Sequence, residues 1–290
     1  MDSPKNATNS LTNSLTIRII KEKIFLISIA VFTAAAIIPL FHIIYSVIVR
    51  GIPALSIEFL LGSLPAPNDG LGGIGPAIAG TFVLVFLSSL IGLPIAILAG
   101  IYSAEYPNSI LGRLTKTLLQ IMLEFPTILV GVFVMQVVVI PMGSYSALAG
   151  AFALAIVMMP YVAISTEEAL KEIPFTYREA GFSLGLSRFK VVFHILMKMA
   201  RKGILTGVLI GMAKVAGETA PLLFSAGGSS RIYFAGLDKP VGAIPLLIYN
   251  LIQQPYENYH QIAWGAALVL MLIFLGIFIP IRLKIKEVKL

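Results

Sequence analysis

Lys214 and Glu218 are the residues best placed to do chemistry in this chain, because they stand in an apolar run that offers them little water. An ionised group at the middle of a membrane helix costs roughly 2.5–3.5 kcal/mol on insertion scales. Four residues apart, the two share a helix face and can neutralise each other. Lysine before glutamate is the weaker order for stabilising a helix, so stability explains the pair poorly. Two readings stand. The pair is a structural ion pair inside a bundle, or it lines a hydrophilic pathway together with the neighbouring Thr219. Pro221 has no N–H to donate and restricts Ala220, so it is expected to break this helix. Carbonyls freed at such a break are tolerated only where protein or water covers them, which favours the pathway. Glu124, ahead of Phe125-Pro126, is another carboxylate at the rim of an apolar run; it either snorkels to the boundary or takes part in gating.

Other chemistries find no support. There is no cysteine, so disulfides and thiolate metal sites are excluded. His42, His194 and His260 are scattered without metal-ligand spacing. Gly70, Gly72 and Gly75 match a dinucleotide fingerprint on paper, but no βαβ unit surrounds them. No G-x-x-x-x-G-K-[ST] string occurs, so the chain has no ATP site of its own. No Ser/His/Asp or metal-dyad arrangement stands out. The chain therefore calls for no cofactor and is not expected to be an enzyme; any ATP-driven step it takes part in needs a separate ATPase.

The elements that must position the charged pair are membrane helices. Of 290 residues, 58% are hydrophobic and 12% charged, against roughly 25% charged in a soluble domain. The apolar residues gather into runs long enough to cross about 30 Å of hydrocarbon. Six spans are expected, at about 24–49, 74–101, 118–141, 146–165, 203–223 and 262–281. Helices satisfy their own backbone, and the alternation of a membrane barrel is absent. The run 240–254, with Pro240 and Pro245, is too short to span and reads as interfacial or re-entrant. Gly203, Gly207 and Gly211 form a small-residue strip along the fifth span that lets another helix pack closely. Residues 1–23 read as a cytoplasmic tail, retained rather than cleaved, and 283–290 as a basic cytoplasmic tail.

Lys and Arg set the orientation. One side carries 17 of them, the other only Arg50, Arg231 and Lys239. The positive-inside rule then puts both termini and the 166–202 loop of this multi-pass protein in the cytoplasm. This accounts for a net charge of +7 without nucleic acid.

The 166–202 loop is longer than a connector needs to be. Its first half favours helix up to Gly185, and Ser187 can cap a second helix from Arg188 to about Met199. There Phe189, Val192, Phe193, Leu196 and Met199 recur at helical spacing among basic residues. The periodicity fits an amphipathic connector resting on headgroups or a docking knob for a cytoplasmic partner.

Glu179-Ala180-Gly181, then Gly185, and later Ile195 and Met197, resembles the EAA loop of ABC importer permeases. That loop reads Glu-Ala-Ala, a Gly six residues after the Glu, and a closing hydrophobic-x-hydrophobic-Pro. Gly181 replaces the second Ala, and Lys198 stands in place of the Pro. The string Gly217-Glu218-Thr219-Ala220-Pro221-Leu222 is similar to the phosphate-uptake (Pst) branch, as are 72–81 and 124–127. In that branch a basic residue, commonly Arg, sits four before the Glu; Lys214 keeps the charge but not the planar fork. Length and the 217–222 string favour the PstA type over its PstC-type partner.

The resemblance implies an all-α integral membrane protein with six transmembrane helices and the type I importer (MetI-like) permease fold, its core at 74–282 after a first helix at 24–49. It implies ATPase coupling through Glu179, Ala180, Gly181 and Gly185, and a pathway lined by Lys214, Glu218, Thr219 and Glu124. Its partners would be a second, paralogous permease, two ATP-binding cassette ATPase subunits and an extracytoplasmic phosphate-binding protein, with inorganic phosphate as cargo. A sulfate or molybdate importer is the alternative within the class, and an ion-coupled secondary carrier outside it.

Overall fold

A computed structural model describes residues 4–228 and 231–287 of the chain. Residues 1–3 of the expected N-terminal tail and 288–290 of the C-terminal one lie outside the described residues. The chain divides into two compact units, 1–49 and 50–290. The first is nearly all one helix, α1 (Pro4–Gly51), with Pro39 inside it. The polar stretch before residue 24 and the apolar span after it are thus one uninterrupted helix.

The second unit contains α2 (Ile57–Leu61), α3 (Gly75–Glu105), α4 (Ile110–Glu124), α5 (Thr127–Met142) and α6 (Ala147–Lys171). It continues with α7 (Thr176–Ser183), α8 (188–216), α9 (Ala220–Leu223), α10 (Ile244–Ile252) and α11 (Glu257–Glu287). A lone bridge between Gly227 and Val241 is the only β pairing among the described residues.

α6 is the centre of this unit, with α3 and α8 packed along it. Lipid tails are as apolar as leucine, so membrane helices associate through close van der Waals packing, and small residues permit it. Ala147, Ala149, Ala151, Ala153, Ala155 and Ala163 are all buried. On α8 the predicted glycine strip faces α6: a Cβ on Gly203 would strike Ala169, one on Gly207 Ser165, and one on Gly211 would stand 2.7 Å from Val162.

Among the described residues, four helices are long and apolar enough to cross a membrane: Ile20–Ala54, Gly75–Glu105, Ala147–Lys171 and Glu257–Ile281. The continuous span expected over 118–141 is instead two helices, α4 and α5, meeting at 103°. Counted as one broken span, they make five. Pro126 causes the break: it supplies no N–H and holds Phe125 extended, with φ −73° and ψ 129°. Ser109 starts α4 by accepting a hydrogen bond from the Gly112 amide at 2.9 Å.

The expected fifth span also differs. α8 runs without a gap from Arg188, through a π-helical stretch Val191–Leu196, to Ala216. The surface helix and the span expected at 203 are therefore one helix. Lys198, lying where a Pro would stop it, allows that. The helix ends at Ala216, and Pro221 opens the next helix, α9, instead of breaking this one. A proline suits the first turn of a helix, where the missing N–H has no partner in any case.

The run 240–254 holds α10, a nine-residue helix with Ile244, Leu247 and Leu251 buried, packed on α11. The glycine-rich 72–81 string seats it: a Cβ on Gly80 would strike the Gly242 carbonyl, and Thr81 Oγ1 accepts from the Ile244 amide at 2.9 Å.

Candidate functional site

Two helix breaks meet in the bundle, and the charged pair sits at one of them. Lys214 is in the last turn of α8 and Glu218 in the gap before α9. Lys214 Nζ lies 2.7 Å from Glu218 Oε1. The other carboxylate oxygen accepts from Thr127 Oγ1 at 3.2 Å. Thr127 is the first residue of α5, directly after the Pro126 elbow. The two breaks also touch through backbone: a Cβ on Gly131 would stand 2.8 Å from Pro221 Cα. Glu218 is buried and fully engaged, whereas the Lys214 side chain is 40% exposed. An ammonium has three donors, so Lys214 keeps capacity for an anion while its carboxylate partner holds it in place. Tyr161 on α6 is within electrostatic reach of the lysine. A cavity of ≈ 340 Å³ opens in the elbow between α4, α5 and α6, with Thr127 and Tyr161 in its lining.

The structure brings Lys214, Glu218 and Thr219 to one break. Thr219 contributes through its carbonyl, which accepts from the Leu222 and Leu223 amides at 3.1 and 3.2 Å. Glu124 is exposed at the end of α4 and makes no hydrogen bond or ion pair with that group among the described residues.

On the loop between α6 and α8, α7 ends in a left-handed turn. Gly185 has φ +74° with open space around it, so backbone conformation alone demands glycine there. The Leu186 amide reaches back to the Gly181 carbonyl at 3.2 Å, closing the turn. Gly181 is buried, and a Cβ there would stand 2.8 Å from Val191 Cγ2, so the close approach of α8 explains Gly where the motif has Ala. Glu179 and Ala180 face outward among exposed Phe175, Tyr177, Phe182, Leu184 and Phe189. An apolar patch with a polar rim is the usual mark of a protein interface. Of the apolar face expected on 188–199, Val192 and Leu196 are buried, whereas Phe189 joins the exposed patch.

Three polar partners escaped the sequence reading. Glu105 closes α3 with its side chain 5% exposed and pairs with Arg178 at 2.8 Å. Glu167 on α6, also buried, accepts from Ser103 Oγ at 2.8 Å, pairs with Lys171, and lies 3.8 Å from Lys116 of α4. Thr127 is 91 positions from Glu218. Only the Glu167–Lys171 spacing of four could have been read from sequence.

Residues 92–285 match the family of binding-protein-dependent transport system inner membrane components. Among curated relatives, a probable phosphate transport system permease protein PstA of Methanocaldococcus jannaschii is 59% identical over 94% of this chain and 96% of its own. The PstA protein of Pasteurella multocida is 38% identical over 83% of this chain and 88% of its own. Among solved structures, the MetNI methionine ABC transporter in an inward facing conformation is similar, with TM-score 0.59, 21% identity, and 75% of this chain and 94% of that one covered. An amino acid ABC transporter gives TM-score 0.52 at 18% identity, over 72% and 92%.

Proposed function

From the premise that this chain belongs to the binding-protein-dependent transport inner membrane components, and with the PstA-type permeases among them, we propose that it is the permease subunit of an ATP-driven phosphate importer. The likeness along nearly the whole chain to phosphate permeases carries the substrate class; a sulfate or molybdate importer and an ion-coupled carrier are not favoured. The half-exposed lysine held by a buried glutamate where two broken helices meet supplies the chemistry. The protein is a transport component and not an enzyme with a catalytic site.

In this reading the chain crosses a prokaryotic cytoplasmic membrane six times, α8 and α9 making the fifth crossing, with both termini inside. It lines half of the pathway beside a paralogous permease. One of two ATPase subunits receives the face of α7 that carries Glu179 and Ala180, on a turn shaped by Gly181 and Gly185. A binding protein delivers phosphate to the outer loops. ATP-driven closure of the ATPases moves α7 and switches the helices between inward- and outward-facing arrangements. Lys214 meets the anion as a point charge, and Glu218 holds it in register with Thr219 beside it. Glu124, exposed at the elbow, belongs to the gate.

The test is ATP-dependent phosphate uptake by the complete complex in proteoliposomes. Glu179→Lys is expected to lose ATPase docking, and with it phosphate uptake and the ATP hydrolysis coupled to it. Lys214→Ala is expected to keep docking and lose uptake. Normal phosphate uptake by both variants would remove the loop and the lysine from the mechanism, and wild-type uptake of sulfate in preference to phosphate would overturn the substrate.

A further inference from the structure

We propose that Arg178 is the positioning residue that makes α7 and the cytoplasmic ends of α3 and α6 move as one body. This deepens the permease reading and rests on it.

Glu105 ends α3, where the helix dipole disfavours a carboxylate. Its side chain is nevertheless 5% exposed, and that of Arg178 10%. Such a carboxylate is tolerable only against a well-bonded cation. Arg178 meets that need with all three guanidinium nitrogens. Nε and Nη2 donate to Glu105 Oε1 at 3.1 and 2.8 Å. Nη1 donates to the Ile173 carbonyl and Nη2 also to that of Leu170, each at 3.1 Å. Leu170 is in the last turn of α6 and Ile173 just beyond it, where helix carbonyls lack intrahelical partners. One side chain thus fastens α7 to the ends of two other helices. The backbone bonds made by α7 are local by contrast, and a Cβ on Gly181 would meet apolar atoms of Val191 and Ile195 on α8.

Arg178 directly precedes the outward-facing Glu179, so a load taken on that face passes one residue to the fastening. A second clamp holds the receiving ends together: Glu167 on α6 engages Ser103 of α3 and Lys116 of α4. α4 leads to the Pro126 elbow and so to Thr127 and the Lys214–Glu218 pair. Contiguity of this kind becomes coupling only when the parts are shown to move together.

The experiment uses the complete complex in nanodiscs and proteoliposomes. The chain has no cysteine, so Asn108→Cys, after α3, and Ser183→Cys, on α7, accept spin labels at exposed positions. Arg178→Lys keeps the charge, so the chain is expected to fold, but a point charge cannot make the forked set of bonds. In the otherwise wild-type complex the label distance should be the same without nucleotide and with a non-hydrolysable ATP analogue. In Arg178→Lys it should change with nucleotide, while phosphate taken up per ATP hydrolysed falls roughly tenfold, inside the ~2- to 30-fold range of coupling changes. Glu105→Gln, which keeps an acceptor without charge, should give a smaller fall.

Arg178→Lys with wild-type uptake per ATP and a nucleotide-independent distance would overturn the proposal. So would a label distance in the wild-type complex that itself changes with nucleotide. A wild-type complex that takes up no phosphate, yet shows the constant distance that Arg178→Lys loses, would sink the substrate reading and support the role of Arg178.

Discussion

Two of the chain's ion pairs sit where distant segments meet, and they are built in opposite ways. Arg178–Glu105 is shut: side chains 10% and 5% exposed, every guanidinium nitrogen engaged. Lys214–Glu218 is open on one side: the glutamate is 9% exposed and the lysine 40%. A fork of planar donors suits a joint that must not shift, while a flexible ammonium with donors to spare suits a transient ligand. The difference separates a pair that holds from a pair that offers. In the proposed transport cycle the pairs fall at two ends, one beside the exposed apolar patch of α7 and one at the meeting of the two helix breaks.

The largest effect should come from breaking the shut pair outright. Arg178→Ala leaves a buried carboxylate at a helix C-terminus, and losing one partner of a buried pair costs about 3–5 kcal/mol. Denaturant unfolding in detergent should show it; a loss below about 1 kcal/mol would mean that water already reaches Glu105. Lys214→Met sharpens the contrast from the other side. Stability should fall by less than in Arg178→Ala, because Thr127 still donates to Glu218 and the lysine is only half-buried, while phosphate uptake falls tenfold or more, equivalent to about 1.4 kcal/mol of transition-state stabilisation. If instead Lys214→Met unfolds the chain as readily as Arg178→Ala, the two pairs are alike and Lys214 is structural.

What sequence could show of these sites follows from distance along the chain. Lys214 and Glu218 are one helical turn apart, and Gly185 announces a left-handed turn, so both were legible. Arg178 reads as one more cytoplasmic cation, because its partner lies 73 positions away and its burial depends on how α3 ends. Pro126 and Pro221 mark breaks, but a proline does not say which side of itself the helix occupies. Pro126 ends α4 and tilts the chain by 103°, whereas Pro221 starts a helix after Gly217 has already stopped the preceding one. The helical class was plain from composition. The break within the 118–141 run and the continuity of α8 from 188 to 216 were not, because hydropathy does not report where a helix bends or runs on.

The smallest expected effect tests whether the open pair depends on the elbow. Thr127→Val keeps the side chain's shape and removes only the donor to Glu218. At 3.2 Å this hydrogen bond is long, and one of its kind contributes about 0.5–1.5 kcal/mol. Lys214 still holds the other carboxylate oxygen, so unfolding should barely move. Uptake should fall roughly twofold to tenfold, because the carboxylate that orients the lysine loses its tether to α5. Thr127→Ser, which restores the hydroxyl, should recover most of it. A Thr127→Val protein as inactive as Lys214→Met would show that the stitch between the two breaks, and not the lysine alone, sets the geometry of the site. Unchanged uptake would leave the pair self-sufficient and the elbow a feature of folding only.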